Sequence, residues 1–121
     1  MSKYQDLEVW KTAMELVKEI YFLTSKYPKE ELYSLSSQTK RAAVSVPSNI
    51  AEGIGRQYKK DTIQFLHVAR GSLYELETHL QIAKMVNIVS QNELSELQSK
   101  IEKALQLLNG YINYLMKADL R

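Results

Sequence analysis

The chain has 121 residues, a net charge of +2, 45% hydrophobic residues and 25% charged residues, which suits a single domain with a modest core. Cysteine is absent, so a disulfide scaffold and a thiolate metal site are excluded. Two prolines and four glycines provide few turns, which favours a few long helices over many short strands.

Taken in order, the opening MSKYQDLEVW lacks the apolar core of a secretory leader, and no run approaches membrane-spanning length. The expected location is the cytoplasm, with no membrane partner. The first helix is predicted from about Asp6 to Tyr27, with Leu7, Trp10, Met14, Val17, Ile20/Tyr21 and Thr24 as its core stripe. Pro28 disfavours helical angles in the residue before it and stops the helix. Ile20, Tyr21, Phe22 and Leu23 are apolar in succession, more than one buried face needs. They are candidates for a subunit contact, or for a helix end shielded by the next loop.

Lys29–Tyr33 reads as a connector with at most a turn of helix. The second helix is predicted from about Ser34 to Gly55. Leu35, Thr39, Ala42, Val46, Ile50 and Ile54 form its buried line. A second line, Gln38, Arg41, Ser45, Ser48, Glu52 and Arg56, is polar but small in the middle. Small polar residues let helices approach and hydrogen-bond across the contact, so this line is expected to be buried or half-buried, the alternative being a solvated face. Pro47 requires either a kink or a fresh helix start with Ser45 as cap. Gly53 and Gly55 suit a helix end in a left-handed conformation.

Arg56, Lys59 and Lys60 then place three cations in five positions. Asp61 with Gln64 reads as the cap of a third helix, whose stripe is Phe65/Leu66, Ala69, Leu73, Leu76, Leu80 and Ala83, ending near Asn87. Ser90 and Glu93 form a capping box for a fourth helix with Leu94, Leu97, Ile101, Leu105, Leu108, Ile112 and Leu115 inward. Short loops make successive helices antiparallel neighbours, so the predicted fold is an all-α, up-down-up-down four-helix bundle covering residues 1–121. Pairing of the second and third helices about their turn puts Arg41 near Glu75, an expected structural ion pair.

Catalytic chemistry is hard to find. The Glu-x-x-His motif of di-iron bundles is missing before both His67 and His79. Glu75 and His79 share a face, but His67 and His79 are about 120° apart on their helix at 3.6 residues per turn. Gly53-x-Gly55 follows no strand and lacks a third glycine, so it is no dinucleotide loop. No enzyme, metal or cofactor is expected; a metal-dependent enzyme using Glu75 and His79 is the weakest alternative. The charge distribution says more. From Gln38 to Arg70 six cations face two anions, a local +4, which leaves the rest of the chain net acidic. Such a region points to a polyanion. Lys40, Arg56, Tyr58, Lys59 and Lys60 are the candidate contacts, cations mixed with an aromatic that suit phosphate binding and base stacking. The bland alternative is a solvated turn.

The run SNIAEGIGR at Ser48–Arg56 resembles the signature of the four-helix-bundle family named after the intervening sequences of 23S ribosomal RNA genes. DLEVW at Asp6–Trp10, YSLSSQTKRAAVSVPSNIAEG at Tyr33–Gly53 and FLHVARGSLYELE at Phe65–Glu77 extend the likeness over nearly the whole chain. The family is similar to the accessory variability proteins of diversity-generating retroelements. The resemblance implies a ring-like homopentamer with a basic surface, binding RNA or DNA or a protein partner such as a reverse transcriptase. Ser48, Asn49, Glu52, Gly53 and Arg56 match the motif. Of these Asn49 and Glu52 are read as structural, as are Ser48, Gly53 and the pair Arg41 and Glu75, while Arg56 serves either folding or ligand contact. The competing expectation is a protein-interaction scaffold that binds no nucleic acid, with Ile20–Leu23 as its contact.

Overall fold

The computed structural model describes residues 3–118. After a 3-10 turn at Tyr4–Asp6, four helices follow: α1 (Glu8–Thr24), α2 (Leu35–Ile54), α3 (Lys59–Met85) and α4 (Gln91–Lys117), with a second 3-10 turn at Lys29–Glu31. No strand occurs among the described residues. Each helix packs on its neighbours in sequence and α4 closes against α1, with α2 and α3 the most intimate pair. This is the up-down-up-down bundle that the short connections require.

Helix α1 buries Val9, Ala13, Leu16, Ile20, Leu23 and Thr24; of the predicted line Ile20 and Thr24 are inside, but Trp10, Met14 and Val17 give way to Val9, Ala13 and Leu16. The stripe is displaced by one residue, roughly 100° of rotation. Both lines have helical spacing, and the chosen one carries the small Ala13, which lets a neighbour come close. Trp10 and Val17 pack at the edge of the core, and Met14 is 43% exposed. The apolar level at Ile20–Leu23 is thereby divided. Ile20 and Leu23 belong to the core of the subunit, which removes them from the candidate contact; Tyr21 and Phe22 stay on the surface.

The helix ends at Thr24, earlier than expected, where the Thr24 hydroxyl donates to the Ile20 carbonyl at 2.8 Å. Tyr27 then turns into the core, and its hydroxyl has no partner there. Burial, and next the charge of Glu93, push its pKa up to about 12.

Helix α2 places Thr39, Ala42, Val46 and Ile50 inside as expected, and runs through Pro47 as one element. Pro47 withholds a donor from the Ala43 carbonyl, a local cost of roughly 3 kcal/mol, but its ring is buried. Ser45 is not a cap; its hydroxyl meets that of Ser72 on α3 at 2.7 Å. Of the polar line only Ser45 is half-buried, the others being exposed. Neither Gly53 nor Gly55 is left-handed. Gly53 instead marks a close crossing: a Cβ there would lie 2.8 Å from Phe65 Cβ and 3.1 Å from the Thr62 carbonyl oxygen. The Thr62 hydroxyl donates to the Gly53 carbonyl at 2.8 Å across the same contact.

Helix α3 starts at Lys59, two residues before the expected Asp61 cap, and no side chain caps it. Asp61 sits in the first turn, where a carboxylate complements the helix dipole. Its predicted apolar line from Leu66 to Ala83 is inside, and Thr62, Ser72 and His79 are buried beside it. Its end is closed by Asn87 at φ 65, with the Ile88 amide donating to the Ala83 carbonyl at 2.8 Å and the Asn87 amide to Lys84 at 3.1 Å. This paired arrangement satisfies carbonyls that a helix end leaves open. Ser90 and Glu93 form the predicted capping box. The Glu93 carboxyl is held below its usual value, first by the Ser90 amide, with burial opposing and the Ser90 hydroxyl and Lys26 assisting. Helix α4 buries Ala104 where Leu105 was expected, with Leu105 packed at the edge.

Candidate nucleic-acid interface

The α2–α3 loop gathers Arg56, Tyr58, Lys59 and Lys60, but two of its cations are engaged. Arg56 Nη2 is 2.8 Å from Glu52 Oε2, one helical turn back, and its guanidinium lies 4.7 Å over the Phe65 ring. Lys59 Nζ donates to the Ala118 carbonyl at 3.1 Å and ties the start of α3 to the end of α4. Tyr58 and Lys60 are exposed. Lys40 does not join them: sixteen residues before Arg56 on α2, it is about 24 Å away along the axis. The five candidates therefore form two separate places.

Within the matched motif, Asn49 donates to the carbonyl and hydroxyl of Ser45 at 2.8 and 3.0 Å, Glu52 holds Arg56, and Gly53 permits the α2–α3 crossing. Ser48 is exposed. The expected Arg41–Glu75 pair does not form among the described residues. Ser45 stands opposite Ser72, which brings Arg41 level with the buried Leu76 instead of Glu75. Glu75 Oε2 lies 3.9 Å from His79 Nε2, and Arg41 opens to solvent. His79 is buried with Nδ1 lacking a partner, whereas His67 is exposed. No cluster of three potential metal ligands occurs among the described residues. Arg70 donates to Asn109 on α4 at 2.9 Å.

Two surfaces escaped the sequence reading. One is an open groove of about 700 Å³ on the outer side of α2, walled by Tyr21, Leu32, Tyr33, Lys40, Arg41 and Val44 among others. Its parts come from α1, the connector and α2, so only tertiary packing assembles it. The other is the outward face of α3. Of the residues exposed on it from Gln64 to Met85, only Glu75 carries a full charge, while Val68, Tyr74, Ile82 and Met85 lie open. The signal was present in the sequence as missing lysines on that line.

Four helices round one apolar core, with cations and aromatics on the outside, define a small all-α four-helix bundle protein. The family described as 23S rRNA-intervening sequence protein matches residues 5–110, and the chain belongs to it. A solved structure from Bacteroides thetaiotaomicron, described as a protein with unknown function from the S23 ribosomal protein family, shares this fold. It has a TM-score of 0.80 and 21% identity, over 86% of this chain and 97% of the other. No curated protein matches the chain. No helix among the described residues is long and apolar enough to cross a membrane.

Proposed function

We propose that the chain is the subunit of a non-enzymatic homo-oligomer that engages RNA or DNA, or a protein that processes them, through a basic surface. The observation that carries assembly is the outer face of α3. Val68 is 46% and Tyr74 51% exposed on a face almost free of charge, which is unusual for the solvent side of a bundle helix and typical of a covered one. Five subunits in a ring is the number that family resemblance supports. Repeating the local +4 of Gln38–Arg70 round a ring would build a field that one subunit lacks. A cytoplasmic location goes with this reading.

Light scattering and sedimentation test the assembly. The natural chain is expected at about five times its 14.0 kDa, and Val68→Glu/Tyr74→Glu at a smaller mass with its helical signal retained. A natural chain that is monomeric at micromolar concentration refutes it. Binding of labelled RNA and DNA at low salt tests the second half. No binding leaves the alternative reading, a scaffold for proteins alone, which the engagement of Arg56 and Lys59 within the fold favours.

A further inference from the structure

The groove on the outer side of α2 differs from other charged depressions on the bundle. Elsewhere signs are mixed: Glu8, Glu15 and Glu19 face Lys11, Lys100 and Lys103, and Arg56 faces Glu52. The α2 groove is lined by Lys40 and Arg41 and by no aspartate or glutamate. Neither cation has a carboxylate partner among the described residues. Lys40 Nζ stands 5.3 Å over the ring of Tyr21. On the other wall Tyr33 is 93% exposed, a large ring held in water with nothing covering it. Ser37 and Ser48 add hydroxyls, and Asn49, whose amide nitrogen is used on Ser45, lines the groove beside them.

We propose that this groove binds single-stranded nucleic acid, with phosphates on Lys40 and Arg41 and unpaired bases on the rings of Tyr33 and Tyr21. The proposal rests on the nucleic-acid reading above and moves its site from the α2–α3 loop to the other end of α2. Charge complementarity selects a polyanion, because two unpaired cations without a carboxylate attract phosphate. The aromatic rings select a single strand, since stacking needs base faces that a duplex keeps hidden. The planar guanidinium of Arg41 adds a fork suited to phosphate oxygens. The loop is less suited, with Arg56 and Lys59 already bonded within the protein.

The test is fluorescence anisotropy with a labelled oligo-uridine and a duplex of equal length, over a salt series. The natural protein is compared with Lys40→Gln/Arg41→Gln, with Tyr33→Ala, and with the loop variant Lys59→Gln/Lys60→Gln. The expected result is preference for the single strand. The Lys40/Arg41 variant is expected to lose about tenfold or more in affinity and about 1.4 in the slope of log affinity against log salt. Tyr33→Ala is expected to lose about 5- to 150-fold, and the loop variant little. Arg41, Lys60 and Tyr33 are exposed and Lys40 is half-buried, so mass is expected to hold throughout and the groove variants to keep their melting temperature, while the loop variant, which loses the Lys59 bond to the Ala118 carbonyl, is expected to melt slightly lower. If the natural protein binds neither probe, the groove and the nucleic-acid reading fall together. If binding survives the groove variants and is lost with the loop variant, the groove falls and the reading stands. If the groove variants change the mass of the oligomer, the groove is covered by a second copy of the chain, and the proposal is overturned.

Discussion

Gly53→Ala isolates the contact on which the α2–α3 pairing turns. The added methyl would meet Phe65 Cβ at 2.8 Å and the Thr62 carbonyl at 3.1 Å. Neither neighbour is the end of a flexible side chain, so the two helices must separate. Overpacking of this kind costs about 1–3 kcal/mol. Separation also stretches the 2.8 Å bond from the Thr62 hydroxyl to the Gly53 carbonyl, a further loss of about 1 kcal/mol. Alanine returns about 1 kcal/mol of helix propensity. The balance is a loss of about 2 kcal/mol. With an unfolding entropy of about 2.1 cal/mol/K per residue over 121 residues, that lowers Tm by about 8 °C. The assay is thermal unfolding followed by circular dichroism at one fixed subunit concentration, because assembly makes Tm depend on concentration. Gly110→Ala is the control: nothing lies within 4 Å of its added Cβ, so it is expected to melt slightly above the natural chain. A Gly53→Ala protein that melts with the natural chain or above it would show that the crossing is not close, and would refute the reasoning.

Tyr27 predicts an alkaline response. Its folded pKa of about 12 exceeds the ordinary 10.0, so its contribution is complete below pH 10 and lost as pH rises towards 12. Tyr27→Phe is expected to flatten that decline in urea midpoints and, by removing an unpartnered buried hydroxyl, to gain about 1 kcal/mol or more at pH 7; a loss at pH 7 would show that the hydroxyl is satisfied. Glu93 predicts an acid response of opposite sense. Its folded pKa lies below 4.5, so its contribution is present above pH 4.5 and is lost as pH falls through the lower folded value. Glu93→Gln is expected to show a shallower decline in urea midpoint on acidification, and an unchanged slope would remove the capping box from the acid response. Ser90→Ala is expected to cost about 1 kcal/mol at neutral pH, read from the same titrations.

Much of this protein is written in local pattern. The inward lines of α2, α3 and most of α4 follow from apolar residues at steps of three and four, because a helix buries one face whatever it packs against. The capping box at Ser90 and Glu93 was legible for the same reason: all its atoms lie within four residues. Packing decided the rest. The α1 line through Trp10, Met14 and Val17 and the line through Ala13, Leu16 and Ile20 are both helical, and only the neighbouring helices chose between them. Gly53 looked like a turn residue and is a crossing point, because what matters is Phe65 and Thr62, which sequence spacing does not show to be close. Arg41 lost its expected partner to a small offset of register between α2 and α3, enough to turn Glu75 away. The groove owes its character to that same offset, since it leaves Arg41 unpaired beside Lys40, with Tyr21 and Tyr33 brought in from other segments. Periodicity determines which face of a helix is wet; the register between helices determines which wet residues meet.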